Sequence, residues 1–494
     1  MTLSRRDFLR LSGLVAAGAA ASACAPVYRQ LGVSHPIGSW TFPSGDSFRA
    51  LNRITFGANT AERSRLQSLN VKDWIEDQLA FESINDSLNE IRWRRFDTLK
   101  MKANELSAHS DKPFGYYDKP LVLNELRQAT LVRQVYSARQ LYEVMVEFWN
   151  DHFNISVDKG NCWYLKTVDD RDVIRAHALG SFRDLLWASA HSPAMMIYLD
   201  NQANRKGAPN ENYARELMEL HTLGVDGGYT QHDVMELARC FTGWTVKEHW
   251  WKGDFTFNDK SHDTGAKTVL GLRLTNEGQR EAERVIEVLA SHPRTARFIA
   301  TKLARRFIAD LPPHALIEKA AQAFLKTNGD IKSVLRVILL DGLAQAQPKF
   351  KRPLNFIVSA LRMLKAETDG GNDLQGYFLQ MGQPYFGWAT PDGYPDRSEP
   401  WQGNLMPRWQ FAFALARNEL KSTQIDVEAI LKASGAKNPI EMIDSLSALL
   451  LGTTLDSSKR DEIADVLKDS KASEVEVARI VIGGLIASPA FQWR

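Results

Sequence analysis

Residues 296–309 read ARFIATKLARRFIA, with apolar side chains at Ala296, Ile299, Ala300, Leu303, Ala304, Phe307 and Ile308. Spacings of three and four residues lay one apolar stripe along a helix and leave polar side chains on the opposite face. Residues 354–364, 412–420 and 475–486 repeat the pattern, so helix is expected nearly throughout. Helix starts are marked as well: Thr230 precedes Gln231-His232-Asp233, and Pro312-Pro313 precede His314. Alternating strands are rare. FTF at 255–257 and TVLGLRL at 268–274 are bounded by Asn, Asp and Gly, which predicts a short hairpin. The expected fold class is all-α, a large multi-helix body with a small β insertion near 255–274.

Ahead of that body stands Ser4-Arg5-Arg6-Asp7-Phe8-Leu9-Arg10, followed by 13 uncharged residues, 11–23, dominated by Ala, Gly and Leu. A bilayer span needs about 20 apolar residues, so this run is too short for an ordinary transmembrane helix. A basic start, a short apolar run and small residues at its end make a secretory signal. The paired arginines before Phe8-Leu9 assign it to the twin-arginine route, which carries folded cargo. The expected location is the periplasm or the extracellular space, and the first expected partner is the twin-arginine export machinery. Ala21-Ser22-Ala23-Cys24 reads either as a lipoprotein site, with Cys24 acylated and anchored in a membrane, or as an ordinary A-x-A cleavage site. Residues 24–45 are rich in Pro, Gly and Ser and read as an extended tether.

The whole chain carries +2, and residues 1–23 hold three arginines and one aspartate, so the remainder sums to about zero. No basic excess is left to displace counterions from a phosphate backbone, which argues against nucleic acid. Of three cysteines, Cys162 and Cys240 form one bridge or stay as buried thiols. There is no C-x-x-C pair for zinc or c-type haem. Phosphate-cradling glycine loops and a G-x-S-x-G elbow are absent too.

Seven of the eleven histidines fall between 152 and 262. At 147–154, Asn150, Asp151, His152 and Asn154 are interleaved with aromatics, a texture common in pocket walls. At 210–224, Asn210, Glu211, Glu216, Glu219 and His221 lie on a helix that Gly224 ends. At 100° per residue Glu216 and His221 stand about 140° apart, so they do not chelate together as the paired histidines of H-E-x-x-H do. Arg215 sits four residues from both Glu211 and Glu219, which is equally an ion-pair ladder. His262-Asp263 in a polar turn either closes a site or makes an Asx turn. The candidate catalytic set is Asp151, His152, Asn210, Glu211, Glu216 and Glu219. The candidate metal ligands are His152, Glu216, His221 and His262, whose imidazole and carboxylate donors suit Zn, Mn or Fe.

FWNDHFN, PAMMIYLDNQAN, NENYARELMELHTLGVDGGYTQHDVMELARCFTGW, HDTGAKTVLG, HPRTARFIATKLARRFIAD and GQPYFGWATPDGYPD occur in that order. Together they closely resemble the bacterial family of domain of unknown function 1800. The resemblance implies a large exported protein, with a main helical domain at 46–420 and a helical extension at 421–494; it implies no reaction. Two functions are expected from the residues. One is a cell-envelope enzyme, a metal-assisted hydrolase or oxidoreductase. The other is a non-catalytic binding or assembly protein that holds an envelope glycan, peptide or partner on the aromatic loops at 244–251 and 385–401.

Overall fold

A computed structural model of the chain describes residues 45–110, 119–247, 253–468 and 472–494. The chain is mainly all-α with small β insertions. The signal, Cys24, nearly all of the tether and the aromatic run His249-Trp250-Trp251 lie outside the described residues. Two compact units share the chain. A terminal unit combines the residues up to Val71 with Pro348–Gly382 and Arg397–Arg494, and a central unit combines Lys72–Gln347 with Gln383–Asp396.

In the terminal unit the helix Pro353–Met363 is buried at every residue, its polar Asn355, Ser359 and Arg362 included. Gly57 lies close against it: a Cβ there would come within 2.7 Å of the Ser359 Cα. Arg362, buried in the same helix, donates to the Gly57 carbonyl at 3.0 Å and pairs with Glu62. Helix Leu405–Ala416 packs along Glu474–Ala487. Gly483 permits that approach, because any side chain there would strike the Phe413 ring.

In the central unit the stripe at 296–309 forms helix Pro293–Phe307, which packs on His314–Lys326, itself packed on Ile331–Gly342. Thr230 caps Gln231–Cys240 in a capping box with Asp233, as its position predicts. The β content differs in detail from the expectation. Phe255–Phe257 does not pair with the following strand; Asp254–Phe257 pairs antiparallel with Trp244–Lys247 upstream. Lys267–Val269 and Leu272–Leu274 form a second hairpin across Leu270 and Gly271. Both of those turn residues have positive φ, at 50° and 79°, as a two-residue hairpin turn with the twist of the strands requires.

The helix expected at 210–224 changes type partway. Asn212–Glu216 is α-helical, and Leu217–Thr222 widens into a π-helix, closed by the Leu223 amide donating to the Met218 carbonyl at 2.8 Å. Wheel angles counted at 100° per residue therefore fail beyond Glu216. A second π segment, Asp169–Arg175, follows helix Cys162–Val168. Such wide turns are rare and are frequent at functional sites. Among the described residues no helix is long and apolar enough to cross a membrane.

Candidate functional site

Two helices of the central unit face one another across a charged seam. Gln140–His152 offers Glu147 and Asp151, four residues apart and so on one face. Pro293–Phe307 offers Lys302 and Arg306 at the same spacing. Arg306 pairs with Glu147 and reaches the Asp396 carboxylate at 3.6 Å. Lys302 Nζ lies 2.9 Å from His152 Nδ1, and His152 Nε2 lies 3.1 Å from the His221 carbonyl. An ammonium only donates, so Nδ1 is the accepting nitrogen and Nε2 carries the proton.

The electrostatics follow from burial. Desolvation pushes the Asp151 carboxyl up to about 8, with Arg306 opposing and Asp396 adding to the shift. Desolvation brings the Lys302 ammonium down to about 8, against the pull of Asp151. His152 is held well below the ordinary imidazole range by burial and by Lys302. His221 falls to about 3 for the same two reasons. Both imidazoles are neutral at physiological pH. His221 is 1% exposed, and among the described residues neither of its ring nitrogens has a protein hydrogen-bond partner. Its ring packs 5.0 Å from that of Phe153.

The segment Gln383–Asp396 closes over the end of helix Gln140–His152. Asn154 Nδ2 donates to the carbonyls of Trp388 at 3.1 Å and Thr390 at 2.7 Å, and the Tyr198 hydroxyl donates to Ala389 at 2.8 Å. Gly393, at φ 73°, sits so close that a Cβ would lie 2.0 Å from the Asp151 carbonyl oxygen. Only glycine fits there. Glu216 faces this segment half-buried, and burial, Glu219 and Asp392 together raise its carboxyl.

The remaining expected residues have local partners. Arg215 bridges Glu211 at 2.9 Å and Glu219 at 3.5 Å, so the ladder is present. Asn210 accepts from the Asn212 amide at 2.9 Å and donates to the Asp200 carbonyl at 3.3 Å, which makes it a turn residue. His262 belongs to another cluster, 2.7 Å from the Thr242 carbonyl through Nδ1 and 3.2 Å from Glu281 through Nε2. Lys267 reaches the same Glu281 oxygen at 2.6 Å. Asp263 forms the Asx turn with Gly265 and takes Arg239 on both oxygens, which holds its carboxyl down to about 2.

The structure thus brings Asp151, His152 and His221 together and leaves His262 elsewhere. Both nitrogens of His152 and both of His262 are already engaged, so neither imidazole has a lone pair to offer a cation. Among the described residues no three His, Cys, Asp or Glu side chains are grouped to hold a metal ion. The four expected ligands, His152, Glu216, His221 and His262, are not gathered at one point, because His262 stands in its own cluster. Cys162 and Cys240 are separate buried thiols, with the first pushed up to about 12 by burial. Sequence reasoning missed Lys302, Arg306, Asp396 and Gly393. The one available signal was the pair of cations spaced by four along the 296–309 helix, at the edge of its apolar stripe. Of the aromatics in the two loops, Trp244, Tyr385, Phe386, Tyr394 and Trp401 are buried, Trp388 is half-buried, and Trp250 and Trp251 lie outside the described residues.

The family described as "Protein of unknown function (DUF1800)" matches the chain over residues 49–493. No curated protein and no solved structure matches it. The chain belongs to the DUF1800 family.

Proposed function

We propose, from membership of a family whose description names no reaction, that this chain is an exported cell-envelope enzyme of hydrolytic type. It works by side-chain proton transfer at Lys302, His152 and Asp151. The observation that carries this reading is the 2.9 Å contact of Lys302 Nζ with a neutral His152 Nδ1 beside the raised Asp151 carboxyl. An acid that keeps its proton and an amine that gives one up, both near pH 8, exchange protons at little cost under physiological conditions. In this reading Asp151 donates its proton to a leaving group, and Lys302 in its neutral form takes the proton of the attacking water directly, while His152 Nδ1 accepts from the Lys302 nitrogen and holds it in place. Perturbed groups of opposite type side by side are a recurring mark of acid–base sites. Among the described residues the expected metal ligands are not gathered in one place, so the reading rests on proton transfer alone.

The test has two parts. Trace acetylation across pH, read peptide by peptide, is expected to give Lys302 a midpoint near 8, well below that of exposed lysines at about 10.4. A panel of chromogenic esters, amides and glycosides is expected to yield at least one substrate whose turnover Lys302→Met abolishes without lowering the melting temperature. An ordinary lysine midpoint at Lys302 would sink the assignment. Support for export rests on Ser4 to Arg10 and the apolar run at 11–23. Arg5→Lys with Arg6→Lys is expected to retain the protein in the cytoplasm with its leader uncleaved.

A further inference from the structure

The terminal unit contains a cavity of about 320 Å³ that the proton-transfer reading does not use. It opens between the start of helix Thr60–Ser68, the end of Pro353–Met363, and the helices Val427–Ser434 and Pro439–Leu451. Met363, Leu364, Ile430, Leu446 and Leu449 make its walls. Ala429 and Ala433, four residues apart on one face of their helix, keep the space open. Val427 is the one fully buried residue of helix Val427–Ser434, although that helix also carries Ile430 and Leu431. Its apolar face is therefore short of packing partners, and the cavity lies along it.

The polar lining residues are Thr60, Lys365, Asp426, Ser434 and Ser445. Asp426 is engaged, since its carboxylate accepts the Ala429 amide at 2.8 Å and caps the helix. Lys365 is exposed and, among the described residues, has no ion-pair partner. It also holds a strained backbone. At φ 51° it occupies the left-handed position just past a helix end, where glycine is the usual residue. The Ala366 amide closes that end onto the Leu361 carbonyl at 2.8 Å. A long cationic side chain at such a strained position, among the lining of a largely apolar cavity, points to a use for its charge.

We propose that this cavity binds the hydrocarbon chain of a fatty-acid-like ligand, with its carboxylate at the Lys365 ammonium. The volume lies within the range of small-ligand pockets, which are mostly apolar with a few polar groups that fix orientation. With the Asp426 carboxylate committed to the Ala429 amide, the Lys365 ammonium is the lining charge left to meet a head group. The cavity lining supplies no second cation and no buried donor that would favour a phosphate or a sugar.

Calorimetry on the full chain with decanoate, decanol and decylamine tests the proposal. Decanoate is expected to bind most tightly and decylamine least. Lys365→Glu is expected to weaken decanoate roughly fivefold while leaving decanol unchanged, the size of an exposed charge contact. Ala433→Phe, at an exposed position where extra volume is tolerated in the empty protein, is expected to abolish binding of all three; Ile430→Trp is a second filling variant. An absence of binding heat with decanoate up to its solubility limit overturns the proposal. So does equal affinity for decanoate and decylamine, or binding that survives both filling variants in folded protein. Lys302→Met is expected to leave decanoate binding intact, so this site and the proton-transfer site fail independently.

Discussion

His262 and His221 are both about 1% exposed in the central unit, and their surroundings could hardly differ more. His262 is enclosed by partners: the Thr242 carbonyl holds one nitrogen, Glu281 holds the other, and Lys267 balances the carboxylate. His221 has aromatic rings and His152 around it, and among the described residues neither of its nitrogens has a protein partner. Burying a polar group without a partner costs free energy, whereas burying it within a closed set of partners holds neighbouring segments in register. The His262 cluster ties the second hairpin to helix Arg280–Ser291 and reads as architecture. The His221 region holds an uncompensated cost next to the perturbed Lys302 and Asp151, which is where chemistry is expected.

Four experiments would break or sharpen that contrast. The largest effect belongs to the closed cluster. Glu281→Ala strands the buried Lys267 ammonium and is expected to lose about 3–5 kcal/mol in urea unfolding. Next is the acid response of the open one. The folded-state value of His221 lies near 3, below the unfolded value of about 6.5, so the unfolded chain binds the extra proton first. Its contribution is complete above pH 6.5 and drains away as pH falls toward 3. The loss is on the order of 3 kcal/mol by pH 4, and denaturation midpoints measured against pH should show this slope flatten in His221→Leu. At pH 7.5 the two histidines should part. His262→Leu is expected to lose about 2 kcal/mol, because it leaves Glu281 short of a partner, while His221→Leu stays within about 1 kcal/mol of the parent. Equal losses would dissolve the distinction. The smallest effect is the exposed ladder: a double-mutant cycle on Arg215 and Glu219 should return less than about 1 kcal/mol.

What could be read from the sequence was local. The stripe at 296–309 and the Thr230 start are set by spacing within one helix, and both formed where expected. The Arg215 ladder needs only a regular turn on either side of the arginine. The π-helix at Leu217–Thr222 could not be read this way, since a five-residue hydrogen bond leaves no compositional mark. Nor could the meeting of His152 with Lys302, which lie 150 positions apart. The metal expectation was local in the same way, and among the described residues its ligands are not grouped. It counted donors by residue type, whereas the free lone pairs depend on neighbours such as Lys302, Glu281 and the His221 carbonyl. The interleaving of the two units was hidden too: residues 382–406 stand out as crowded with Pro, Gly and aromatics, but composition does not say that Gln383 to Asp396 returns to the central unit.

That return has a consequence for how the protein is made. Asp151 and Lys302 emerge from the ribosome well before Gly393, whose bare backbone closes over the Asp151 carbonyl. Until residue 396 has been translated, the seam between the two helices lacks its cover, and its charges meet water and an ordinary dielectric. Domains tend to fold in the order of their synthesis, but this one must wait for a piece of chain delivered after part of the other unit. The perturbed acid and amine therefore come into being late, as a property of the finished polypeptide, and a nascent or truncated chain would carry the same side chains with unremarkable proton affinities.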